Sequence, residues 1–132
     1  MKIDGRCHCG NISFEAEVDP AAVAICHCTD CQRLSGSAFR ANVAVAASHF
    51  VMRGEPKSYI KTAESGTKRR HAFCGECGTP IYACAIENPQ NYSLRIGTIT
   101  QRAAFTPHRQ IWQRSALPWV NDLATVPAVE KG

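Results

Sequence analysis

Seven of the eight cysteines in this chain fall into three tight clusters, and no other feature limits the fold as strongly. Cys7 and Cys9 are spaced C-x-C, Cys26, Cys28 and Cys31 are spaced C-x-C-x2-C, and Cys74 and Cys77 are spaced C-x2-C. Thiols repeated at such short intervals point to metal ligation, because one turn of backbone can aim two sulfurs at one ion. The competing use of eight cysteines is a disulfide framework. The N-terminal stretch Met1-Lys2-Ile3-Asp4-Gly5-Arg6 has no apolar leader segment, so a cytoplasmic location is expected, where thiols stay reduced. Cysteines two residues apart are also badly placed to bond each other.

A length of 132 residues with 45% hydrophobic and 20% charged side chains suits one globular domain spanning residues 1–132. The longest apolar runs, Ala21 to Ile25 and Val43 to Ala47, are too short to cross a bilayer. A net charge of +4 is compatible with an anionic ligand but too small to imply nucleic acid.

Taken in order, the chain alternates short strand signals with turn signals. Met1 to Cys9 enters as a strand and turns at Cys7-His8-Cys9-Gly10, with Gly5 and Gly10 expected to let the backbone bend around the thiol pair. Ile12, Phe14, Ala16 and Val18 alternate with polar residues, the period of a half-buried strand. Ala21 to Ile25 is an apolar approach to Cys26, and Thr29 to Leu34 predicts a helical turn capped by Thr29 or Asp30. Further strands are predicted at Phe39 to Val45, Phe50 to Arg53, Lys57 to Thr62, Lys68 to Phe73, Ile81 to Ile86 and Tyr92 to Gly97. The expected class is mainly β: short antiparallel sheets pinned together at metal sites.

The ligands divide as four plus three. Counting assigns Cys7, Cys9, Cys74 and Cys77 to a closed four-cysteine structural site and leaves Cys26, Cys28 and Cys31 with one position open, the mark of a reactive centre; the alternative, the triad closed by one member of a pair, leaves an orphan thiol. The clusters follow neither common ferredoxin spacing, so the expected ion is zinc in two sites, with the three-cysteine site losing metal first. Three thiolates outweigh the charge of Zn²⁺, which weakens its power to make hydroxide from water. A soft, electron-rich centre is better matched to a fourth thiolate, held beside an electrophile such as an aldehyde.

The ordered clusters, with Gln32-Arg33, Ser35-Gly36-Ser37-Ala38-Phe39, Gly78-Thr79, Ile111-Trp112 and Leu117-Pro118-Trp119, resemble the glutathione-dependent formaldehyde-activating enzyme family, which includes the centromere protein V type. The resemblance runs over nearly the whole chain. It implies a zinc-bound β-tent fold, a structural zinc on Cys7, Cys9, Cys74 and Cys77, and a catalytic zinc on Cys26, Cys28 and Cys31. It also implies carbon–sulfur lyase chemistry, the reversible addition of glutathione to formaldehyde giving S-hydroxymethylglutathione. Only six residues precede Cys7 here, where formaldehyde-activating members carry a longer segment; if that segment helps hold glutathione, the expected substrate is another thiol or adduct, and otherwise glutathione or a similar thiol.

Other residues carry weaker signals. Arg33 suits a substrate carboxylate, Ser35, Ser37 and Thr79 could line the open site, and His8 and His27 should point away from the metal. Cys84 reads as a small buried hydrophobe, and Trp112 and Trp119 as core or interface aromatics. Two alternatives compete with the enzyme. One is a non-catalytic two-zinc module that binds nucleic acid or protein, for which Lys68-Arg69-Arg70-His71 is the one basic run. The other is a scaffold in which His71, His108 or Cys84 supplies a fourth ligand to the triad.

Overall fold

The strand signals translate into ten strands and one short helix in the computed structural model, which describes residues 1–132. The alternating stretch after the first cysteine pair becomes β2 (Ser13–Glu17), flanked by β1 (Lys2–Arg6) and β5 (Phe50–Arg53) in an antiparallel three-stranded sheet ordered β1-β2-β5. The remaining strands are β3 (Val23–Cys26), β4 (Arg40–Ala46), β6 (Lys57–Thr62), β7 (Lys68–Phe73), β8 (Pro80–Ala85), β9 (Asn91–Arg95) and β10 (Pro107–Ile111). They form a second sheet in the order β10-β3-β4-β9-β8-β7-β6. The helix, α1 (Thr29–Ser35), follows β3 directly.

One hydrophobic core of 16 buried residues draws on both sheets. Phe14 from the small sheet, Ile12 just before it, and Val43, Val45, Ile81 and Leu94 from the large sheet are almost fully sequestered. Phe50 closes the layer with its ring 5.7 Å from Phe14 and 5.0 Å from Tyr92, and Tyr82 meets Tyr92 edge-on at 4.8 Å. Such tilted and edge-to-face pairs add to what area burial alone supplies. Cys7 and Cys74 belong to this core, so the four-cysteine cluster grows out of the packed interior.

Four local expectations are corrected. Gly5 does not bend the chain: it sits opposite Phe14 in the β1–β2 ladder, and a Cβ there would lie 2.2 Å from the ring and 2.4 Å from the Thr98 carbonyl. The glycine is needed for close approach. Neither Thr29 nor Asp30 caps α1; the cap is Cys28, whose sulfur accepts the Cys31 amide. The large sheet is not wholly antiparallel, because β10 runs parallel to β3. Trp112 and Trp119 are 56% and 54% exposed, so neither is a core residue of this chain.

Candidate metal centres and active site

Two turns deliver the first cluster. The chain reverses after β1 through a bond from the Gly10 amide to the Cys7 carbonyl, and again before β8 through a bond from the Gly78 amide to the Cys74 carbonyl. Gly10 and Gly78 take φ of +83° and +81°, a left-handed backbone that side chains disfavour. The four sulfurs of Cys7, Cys9, Cys74 and Cys77 lie within 4.8 Å of one another, with Cys7–Cys9 at 3.6 Å and Cys9–Cys74 at 3.8 Å. A disulfide needs about 2.05 Å, so these are separate thiols. The edge of a tetrahedron with metal–sulfur bonds of ~2.3 Å is about 3.8 Å. The donor set and its spacing are consistent with zinc.

The polar surroundings are arranged for thiolates. The Ile12 amide donates to Cys7 Sγ at 3.2 Å, and Thr79 Oγ1 lies 3.2 Å from Cys77 Sγ while accepting the His8 amide at 3.1 Å. The Thr79 hydroxyl, helped by the amides of Cys9 and Thr79, brings the Cys77 thiol down to about 5. Cys9 behaves oppositely. The Asn11 amide favours its thiolate, but burial and the neighbouring Cys7, Cys77 and Cys74 thiols outweigh that and push it up to about 12. Without a cation the four thiols cannot all ionise together.

The second cluster is assembled by β3 and α1. Cys26 ends the strand, Cys28 caps the helix and Cys31 lies in its first turn, and their sulfurs all lie within 4.8 Å. The Cys31 amide reaches Cys28 Sγ at 3.2 Å. Burial acts to raise the Cys28 thiol, but that amide, the other two thiols and the charge of Lys61 together leave it below the usual range. Lys61 is fixed beside the cluster by an ion pair with Asp30 at 2.8 Å. Cys31 is pushed up to about 12, first by burial and then by Cys28 and Cys26.

No fourth protein ligand joins the triad. His108 donates its Nδ1 proton to the Val23 carbonyl at 2.6 Å, His71 Nδ1 faces the Arg95 guanidinium at 3.2 Å, and Cys84 is sealed in the core. His27 is buried with Nε2 2.7 Å from Gln110 Oε1, so it braces β3 against β10. His8 is exposed at the Cys7–Gly10 turn. Ser35 and Thr79 line a cavity of about 750 Å³, whereas Ser37 and Arg33 do not. Arg33 stands exposed near the end of α1.

Sequence reasoning missed Arg40 and Arg95. Both are buried in the large sheet, and both line that same cavity. Their positions in alternating strands gave no sign of it, since a charged residue at a polar phase reads as solvent-facing.

The fold is shared with a crystal structure of a Rhodobacter sphaeroides protein, at a TM-score of 0.61 and 22% identity, over 81% of this chain and 98% of that one. A family profile described as glutathione-dependent formaldehyde-activating enzyme matches residues 2–115. The chain belongs to the glutathione-dependent formaldehyde-activating enzyme family.

Proposed function

We propose that the chain is a single zinc-binding domain of β-tent type over residues 1–132 and a carbon–sulfur lyase, which adds glutathione or a similar thiol to an aldehyde reversibly. Cys7, Cys9, Cys74 and Cys77 hold a structural zinc, and Cys26, Cys28 and Cys31 hold the catalytic one. The observation that carries this reading is the asymmetry of the two clusters: four thiols in one, and three with no fourth ligand in the other. Zinc held by three thiolates with one position free stabilises an incoming thiol as its thiolate.

The chain's own residues set the stage for that chemistry. The Cys31 amide and the α1 cap hold Cys28 Sγ in place, and Lys61 adds a positive charge beside a cluster that is otherwise negative. Arg33, on the exposed side of α1, is an outer contact for a substrate carboxylate. In the addition a C–S bond forms, the carbonyl π pair becomes an alkoxide, and that alkoxide takes up a proton equivalent to the one the thiol lost. Holding both reactants at one site removes much of the entropic barrier to this bimolecular step.

A nucleic-acid reading is not favoured, because Arg69, Arg70 and His71 are half-buried rather than spread along a free basic stripe. The deciding experiment is calorimetric titration of reduced glutathione into zinc-loaded protein, with C28S as the control and zinc release monitored. Saturable binding that needs Cys28 without metal loss supports the enzyme. Absence of binding with both sites loaded removes glutathione as the ligand.

A further inference from the structure

Two arginines in the large sheet lack the partners that buried arginines require. Arg40 opens β4 and Arg95 closes β9, at 6% and 8% exposure. A guanidinium removed from water is costly unless it is paired with an anion or fully hydrogen-bonded. Neither has a carboxylate beside it, as the molecule's one ion pair joins Lys61 and Asp30. Arg95 donates from Nη1 to Asn42 Oδ1 at 2.6 Å and places Nη2 3.2 Å from His71 Nδ1, but its buried Nε has no partner. Burial, and then the charge of Arg40, bring the Arg95 guanidinium down to about 9. The two guanidiniums are close enough to repel each other, and the charges that offset them come from the triad thiols Cys31 and Cys26 rather than from a carboxylate.

The cavity of about 750 Å³ beside them supplies the room. Arg40 and Arg95 lie in its wall, Arg6 and Arg102 are exposed on its rim, and no Asp or Glu lines it. Its size lies within the range of small-molecule sites. Cys7 and Thr79 of the four-cysteine cluster border it, and its link to the triad runs through Arg40, the ladder partner of Cys26, and Ser35 at the end of α1.

We propose that Arg40 and Arg95 form an oxyanion subsite that takes a carboxylate of the substrate thiol, so that the three-cysteine centre selects acidic thiols over neutral ones. The proposal rests on the thiol-binding reading above. The planar guanidinium fork matches a carboxylate in a bidentate way that no neutral amide reproduces. A bound carboxylate would also supply the missing acceptor for this pair.

The test compares 3-mercaptopropionate with 3-mercaptopropionamide on zinc-loaded protein, since the two share the thiol and differ in the charged end. A third probe, 3-(methylthio)propionate, keeps the carboxylate and has no free thiol. The acid should bind on the order of tenfold more tightly than the amide or better, in keeping with hydrogen bonds to a charged group. That preference should collapse towards unity in R40Q and R95Q, survive in R53Q on the small sheet, and be partly kept in R40K. Equal binding of acid and amide to the wild-type protein overturns the subsite and leaves thiol binding intact, a comparison that needs no variant to fold. Failure of both thiols removes the thiol reading itself. The thioether acid then decides alone: binding lost in R40Q upholds the oxyanion subsite, and no binding overturns it.

Discussion

Cys28 Sγ accepts the amide hydrogen of Cys31 at 3.2 Å, so one thiol both caps α1 and belongs to the three-cysteine cluster. The two roles separate by substitution. Ser is a favoured cap but a poor soft ligand. Metal-free C28S should therefore match the wild-type urea midpoint, while C28A should lose about 0.5–2 kcal/mol. In both, elemental analysis should show zinc falling from two per chain to one. Two zincs retained in C28S would remove the triad as a metal site.

Gly5 is a packing requirement of the first hairpin. A methyl group there would collide with the Phe14 ring and the Thr98 carbonyl, neither of which can retreat without moving the core. G5A should destabilise by about 1–3 kcal/mol, the usual cost of overpacking. Denaturant unfolding at fixed zinc would measure it, and an unchanged midpoint would show that β1 has room to shift.

The Cys77 thiol, brought down to about 5, should be the most reactive of its cluster in metal-free protein. Mass-resolved alkylation with iodoacetamide at pH 6 should label Cys77 ahead of Cys9, which is held up to about 12. T79V removes the hydroxyl that favours the thiolate, so its Cys77 should react more slowly at that pH. Zinc should suppress labelling in both. Equal rates at Cys77 and Cys9 would count against this arrangement.

His71 should make stability fall in mild acid. Burial, then the charges of Arg95 and Arg40, bring it down to about 4. The unfolded chain therefore takes up the proton first as pH drops. Stability is fully present above the ordinary histidine value and declines between about 6.5 and 4. The loss should be on the order of 1–2 kcal/mol, because the residue is only half-buried and solvent screens the rest. H71Q should flatten this window in metal-free protein, read from urea midpoints across the pH range.

Much of the architecture was legible because strand periodicity and turn residues agreed. The alternation over Ile12 to Val18 became β2, and the strands predicted from Phe50 to Phe73 became β5, β6 and β7 at the stated positions. The three cysteine clusters were visible as spacing. Their grouping as four plus three came from counting ligands rather than from spacing, which cannot say which turns meet, and the structure brings the sulfurs together in those two sets. β10 escaped notice because all five of its residues are exposed and carry no periodicity. Its pairing with β3 is a tertiary fact. Cys28 was missed as a cap because sulfur is a weak acceptor, outside the usual preferences. Arg40 lay on the expected side of β4, opposite in phase to Val43 and Val45. Burial on that side is local: Arg40 is sequestered while Ala44, in the same phase, is exposed, and a period of two cannot show such a difference.

The four-cysteine cluster also imposes a timetable. Cys9 and Cys74 are 65 residues apart in sequence, and at synthesis rates of about 5–20 residues per second several seconds pass between the two thiols. Through that interval Cys7 and Cys9 have no partners from the later turn, and neither the cluster nor the core they belong to can be completed. The N-terminal pair is thus the first part of the molecule to be made and among the last to be secured. Oxidation of the nascent chain would strike there before any metal could protect it.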